Sequence, residues 1–141
     1  MDKMPLNNMQ FSVPIITKWE FKKNDNKQDI EIDDNYGIPI YYGLNIKKIR
    51  ENEIESSLTI KIGNEDDDIF VLNAEISTRL TMLNYDINNS EKNDNILKLT
   101  SANLLFSYLR PIISQFTSYA GFSSFVLPFI NASDIKEVKI N

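Results

Sequence analysis

Apolar and polar residues alternate along the first half of the chain, and past Thr100 the rhythm becomes helical. From Phe11 to Phe21 the odd positions read Phe11, Val13, Ile15, Thr17, Trp19 and Phe21, with Ser12, Lys18 and Glu20 among the even ones. This period predicts a strand with one apolar face. Pro14 cannot donate to a ladder, which puts that strand at a sheet edge. A polar connection rich in Asn, Asp and Lys follows from Lys22 to Asp34. Tyr36 to Tyr42 is aromatic and apolar, but Gly37 and Pro39 delay a regular strand until about Ile40.

A second strand is predicted from Tyr41 to Ile49. In a third, Ile54, Leu58, Ile60 and Ile62 share one face. Gly63 to Asp68 has the composition of a turn. A fourth strand carries Phe70, Leu72, Ala74, Ile76, Leu80 and Met82 in one register. The third and fourth strands pair as a hairpin. Asn84 to Asn95 is polar and reads as a loop.

The helical segment is predicted to start at an N-cap, Thr100 or Ser101, and to end at Gly121. Its polar positions Asn103, Ser107, Arg110, Ser114 and Thr117/Ser118 form one narrow stripe. Leu104, Leu105, Phe106, Tyr108, Leu109, Ile112, Ile113, Phe116 and Tyr119 fill the rest. A surface helix needs an apolar stripe over only part of its circumference. The excess requires a cover beyond the helix's own sheet, and a subunit interface through Leu105, Tyr108, Leu109, Ile112 and Phe116 is the simplest one. Pro111 is expected to kink this helix. An apolar loop, Phe122 to Ile130, leads to a short terminal helix at Ser133 to Val138.

Composition narrows the functional classes. A length of 141 residues fits one domain, 1–141, with 42% hydrophobic and 25% charged residues. A net charge of −5 argues against nucleic acid as a partner. The sequence contains no cysteine and no histidine, which removes disulfides, thiolate metal sites and the commonest general base. Glu65 to Asp68 lacks the spacing and glycine of an EF-hand, and no motif specifies a catalytic set. No cofactor is expected. With no signal-peptide pattern and no membrane-length apolar run, a cytoplasmic protein is expected.

The second half carries a resemblance. Ala102-Asn103-Leu104-Leu105-Phe106-Ser107-Tyr108-Leu109-Arg110 is similar to the P-N-[IL]-L-F-P-Y-A-R run of the SecB export chaperones. Ala120-Gly121-Phe122, Leu127-Pro128-Phe129-Ile130-Asn131-Ala132 and Ile15-Ile16-Thr17-Lys18 also resemble that family's motifs. The resemblance implies an α+β fold, a four-stranded antiparallel sheet with a long apolar helix and a short C-terminal helix on one face. It implies dimers, or dimers of dimers, and a non-enzymatic holdase for unfolded or precursor polypeptides. Carried onto this chain, its client groove comprises Tyr36, Ile38, Ile40 and Tyr41 facing Phe122, Phe125, Val126 and Leu127. From the residues alone, the Phe122 to Ile130 loop reads equally well as groove or as covered core.

Several family positions differ. Ser107 replaces a proline, and Trp19-Glu20-Phe21-Lys22-Lys23 is less acidic than the surface on which the family docks the ATPase SecA. Glu75 is the retained acidic position there. A branch dedicated to the exposed tail of one antitoxin is the alternative with the same fold. A small-ligand-binding or purely structural oligomeric domain is the alternative from another class.

Overall fold

The computed structural model describes residues 9–24, 37–122 and 124–128. Tyr36, most of the polar connection and the expected helix at Ser133 to Val138 lie outside them. Five antiparallel strands form one sheet: β1 (Met9–Phe11), β2 (Ile15–Lys23), β3 (Ile40–Arg50), β4 (Glu53–Ile62) and β5 (Phe70–Met82). A 3-10 turn at Ile87–Asn89 leads into a helix of 30 residues, α1 (Ser90–Tyr119).

β3, β4 and β5 form a meander, and β1 and β2 both pair with the far edge of β5. The first predicted strand is therefore present but broken in two, giving one strand more than the expected count. Period two holds well in β5, where Phe70, Leu72, Ala74, Ile76, Leu80 and Met82 are all buried on one face. Gly63 turns the β4–β5 hairpin at φ 86°, where a Cβ would strike the Phe70 carbonyl oxygen. The Asp68 carboxylate accepts the Asn64 N–H at 2.6 Å and closes the turn.

Period two fails in the first strand. Phe11 pairs with Leu80 and Ile15 with Ser77, so Ser12, Val13 and Pro14 span what Thr78 and Arg79 span on β5. Thr17 is a second extra residue, between the pairs Ile16–Ile76 and Lys18–Glu75. Each bulge shifts the alternation by one. The single apolar face expected from Phe11 to Phe21 is corrected accordingly. Ile16, Trp19 and Phe21 pack against the core, whereas Ile15 is turned outward and is 64% exposed.

The helix begins at Ser90, ten residues before the expected cap at Thr100, and residues 84–95 are not all loop. Their Asn and Asp residues favour loops in isolation, but tertiary contacts outweigh that weak preference. Leu97 is fully buried in a cluster with Ile54, Leu80 and Met82. Asp94 receives the Tyr85 hydroxyl at 3.1 Å and pairs with Lys48 at 3.4 Å. Asn93 Nδ2 donates to the Asp86 and Asn89 carbonyls, both at 2.9 Å. Ser101 is not a cap but a buried mid-helix hydroxyl, 2.9 Å from Ser56 Oγ on β4.

α1 runs unbroken through Pro111, which lies on the exposed side, where water can reach the carbonyl that the missing N–H leaves unpaired. The C-terminal end is as predicted. Gly121 adopts φ 93°, its N–H donates to the Ser118 carbonyl, and the Phe122 N–H donates to that of Thr117. These two bonds form a Schellman motif.

Candidate functional site

α1 lies over β4 and β5 and buries Leu97, Ala102, Leu105, Phe106, Leu109, Ile113 and Thr117. Leu105 and Leu109, expected at a subunit interface, are 0% exposed within their own subunit. They sit at the centre of the helix–sheet contact, so no second chain can touch them. The remaining interface candidates lie elsewhere. Phe116 packs edge-on against Trp19 and Phe21, each with ring centroids 4.9 Å away, which sets this part of α1 above β2. Ile112, Tyr108 and Tyr119 follow at helical steps from Phe116 and share its flank. Tyr119 is 87% exposed.

Along the same edge β1 exposes Phe11, and the connection from β1 to β2 exposes Val13, the latter by 71%. No described segment pairs with the outer side of β2. This flank therefore joins an open strand edge to an apolar helix face.

The other flank is filled by the segment after the helix. Phe122 packs on Phe70 and Phe21 (5.2 and 6.1 Å), and Phe125 on Phe70 (6.1 Å). Leu127 is fully buried, and Ile38 joins the same cluster. Ser124, Val126 and Pro128 face outward. Of the expected groove residues, Phe122, Phe125, Leu127 and Ile38 are thus gathered in the core, with Ile40 beside them. Tyr41 and Val126 are exposed, and Tyr41 projects from the opposite face of the sheet, alongside Lys61. An extended backbone explains the pattern, because alternate side chains of the segment point to opposite sides.

Three helix side chains hold this segment. Thr117 Oγ1 accepts the Phe125 N–H at 2.9 Å while its own hydroxyl hydrogen-bonds back to the helix. Ser114 and Ser124 hydroxyls meet at 2.6 Å. Arg110 Nε donates to the Leu127 carbonyl at 3.0 Å, with its guanidinium over the Phe106 ring. These three belong to the narrow polar stripe that the sequence shows along the helix. The signal for their role was the apolar loop downstream, whose buried backbone groups needed partners.

Among the described residues, two polar atoms are buried with no hydrogen-bond partner: Trp19 Nε1 and the Tyr42 hydroxyl. Desolvation pushes the Tyr42 phenol up to about 12, against the opposing pull of the nearby Arg110 charge.

The sheet's outer face is different in kind. Glu75 accepts the Thr17 hydroxyl at 2.7 Å, Ser57 meets Ser77 at 2.7 Å, and Arg79 lies 3.4 Å from Glu55. Lys18 and Glu20 pair there at 3.9 Å. This surface has mixed charge. Among the described residues no acidic cluster is arranged to hold a metal, and no helix is long and apolar enough to cross a membrane.

An antiparallel sheet carrying one long helix, with the post-helix segment folded back beside it, is the fold of a SecB-like chaperone. Residues 18–138 match the family described as preprotein translocase subunit SecB, and the chain belongs to that family. Its members are chaperones, not enzymes. The fold is similar to a Mycobacterium tuberculosis SecB-like chaperone solved with a ChAD peptide from the HigA1 antitoxin. The TM-score is 0.62 at 10% identity, over 87% of this chain and 91% of that one. It is also similar to a protein of unknown function from Streptococcus agalactiae, with a TM-score of 0.59 at 13% identity, over 86% and 97% of the respective chains. No curated protein matches the chain in sequence.

Proposed function

We propose that this protein is an ATP-independent cytoplasmic holdase that works as an oligomer and binds unfolded polypeptide in an apolar groove beside α1. The observation that carries the reading is the unequal cover of the helix. Its β2 flank, with Tyr108, Ile112, Phe116 and Tyr119, serves self-assembly. Its β3 flank, with Ile38, Ile40, Phe125, Val126 and Leu127, serves clients, with Phe122 at the end nearer β2. Tyr41, on the opposite face of the sheet, is left out of the groove expected from the family, and Tyr36 lies outside the described residues.

Apolar burial is non-directional and suits clients that share no sequence. Burying about 400 Å² at about 25 cal/mol per Å² yields roughly 10 kcal/mol gross. Association and ordering costs of about 4–15 kcal/mol cancel most of it. One groove binds weakly, and several grooves on one oligomer hold a single client by avidity.

A second reading narrows the client to an antitoxin tail. The mixed charge around Glu75 favours it, because Lys18 and Thr17 occupy the surface on which an acidic SecA-docking patch would lie. The M. tuberculosis protein of similar fold was solved with an antitoxin peptide. Genes adjacent to this one distinguish the two readings.

The test is suppression of light scattering by a chemically denatured client at near-stoichiometric ratio without ATP, together with native mass. A dimer or tetramer that slows aggregation is expected. A monomer that leaves aggregation unchanged would be a structural or ligand-binding domain, and the proposal would fall.

A further inference from the structure

The segment 124–128 has two properties that a covering loop does not need together. Its core contacts are made by side chains at alternate positions, Phe125 and Leu127, as an extended peptide would make them. Its backbone is held by side chains of α1 at two points, the Phe125 N–H and the Leu127 carbonyl. We infer that this segment is a resident strap in the client groove, and that a client enters by displacing it. The occupant that fits is an extended peptide with large apolar side chains two residues apart. This rests on the holdase reading and specifies its site.

The clasp is suited to release. Arg110 and Thr117 keep hydrogen-bonding capacity for whichever backbone lies alongside, since they contact main-chain atoms of the strap, and Ser114 meets only a hydroxyl, that of Ser124. The Tyr42 hydroxyl, near Arg110 and buried without a partner, is a hydrogen-bonding group that the strap leaves unused. An incoming peptide therefore finds the strap's polar contacts and one more. Exchanging one extended segment for another leaves the apolar area buried on α1 and the sheet nearly constant. Displacement then needs no unfolding of the sheet.

The experiment locks the strap. Ser114 and Ser124 hydroxyls are 2.6 Å apart and the chain has no cysteine of its own, so Ser114→Cys with Ser124→Cys places one unique disulfide across the clasp. The probe is a labelled decapeptide alternating phenylalanine or leucine with serine, with a control of equal composition whose apolar residues are adjacent. The oxidised protein is expected to lose at least ten-fold in affinity for the alternating peptide, with affinity restored by reductant. Ser124→Ala removes the strap's own hydroxyl contact with Ser114 and leaves the groove side chains intact, so it is expected to tighten binding roughly five-fold, the change set by one lost hydrogen bond. Equal binding by oxidised and reduced forms overturns the strap while the holdase stands. Equal binding of the two peptides overturns the alternate spacing. Absence of binding by the unmodified protein, with aggregation also unaffected, overturns the holdase reading and the strap with it.

Discussion

The two flanks of α1 carry similar apolar side chains and meet different fates. On the β3 flank the helix presents Arg110, Ser114 and Thr117, and the chain folds back to bury Phe125 and Leu127. On the β2 flank the helix presents Tyr108, Ile112 and Tyr119, with no comparable clasp, and no described segment lies across them. The difference is polar. An apolar segment can be covered from within only if its backbone donors and acceptors find partners there. Where the helix supplies those partners the surface closes in cis, and where it does not no described segment closes it.

The largest effects should come from the residues between the flanks. Leu109→Ala empties a fully buried site and should cost about 2–5 kcal/mol in urea unfolding, independent of protein concentration. A concentration-dependent loss would return Leu109 to a subunit interface. Phe125→Ala should cost less than Leu109→Ala, because detachment of the strap limits the loss. An equal or larger cost would make the segment an integral part of the core.

On the open flank, Tyr108→Glu with Ile112→Glu should lower the native mass toward that of one chain. Its effect on the unfolding free energy of the subunit should stay below that of Leu109→Ala, because Tyr108 is exposed and Ile112 only half-buried. An unchanged mass would remove this flank from assembly.

A pH effect should follow on the strap side. Tyr42 titrates at about 12 in the folded chain and about 10 unfolded, so the folded state holds its proton more tightly. Its contribution is fully present below pH 10 and fades as pH rises toward about 12. Tyr42→Phe should remove that component from the pH dependence of thermal unfolding. The smallest effect is expected on the outer face. Glu75→Gln should leave stability within about 0.5 kcal/mol, as surface changes do, and its readout is binding of the export ATPase.

Much of the fold was legible in the residues themselves. β3, β4 and β5 appear nearly at their predicted bounds, because period-two patterning and a glycine turn act over short distances. The Gly121 stop is equally local. In the motif from Ala102 to Arg110, which carries the resemblance in the sequence, Ala102, Leu105, Phe106 and Leu109 face the sheet and Tyr108 does not. The candidate site was only partly legible. The same Phe122 to Ile130 run reads as groove or as core, and Leu105 and Leu109 read as interface.

What the sequence determined alone was therefore the alternation in β5, the hairpin, the helix end and the excess of apolar surface on α1. Tertiary structure decided the rest. The two bulges that turn Ile15 outward exist only against β5, whose residues count the extra positions. The helix gained its first ten residues from Leu97, Asp94 and Asn93 meeting other elements. Which face of an apolar helix is sealed depends on where the chain returns, and that choice rests on contacts between residues remote from one another in sequence. Local propensities of a few tenths of a kcal/mol cannot make it.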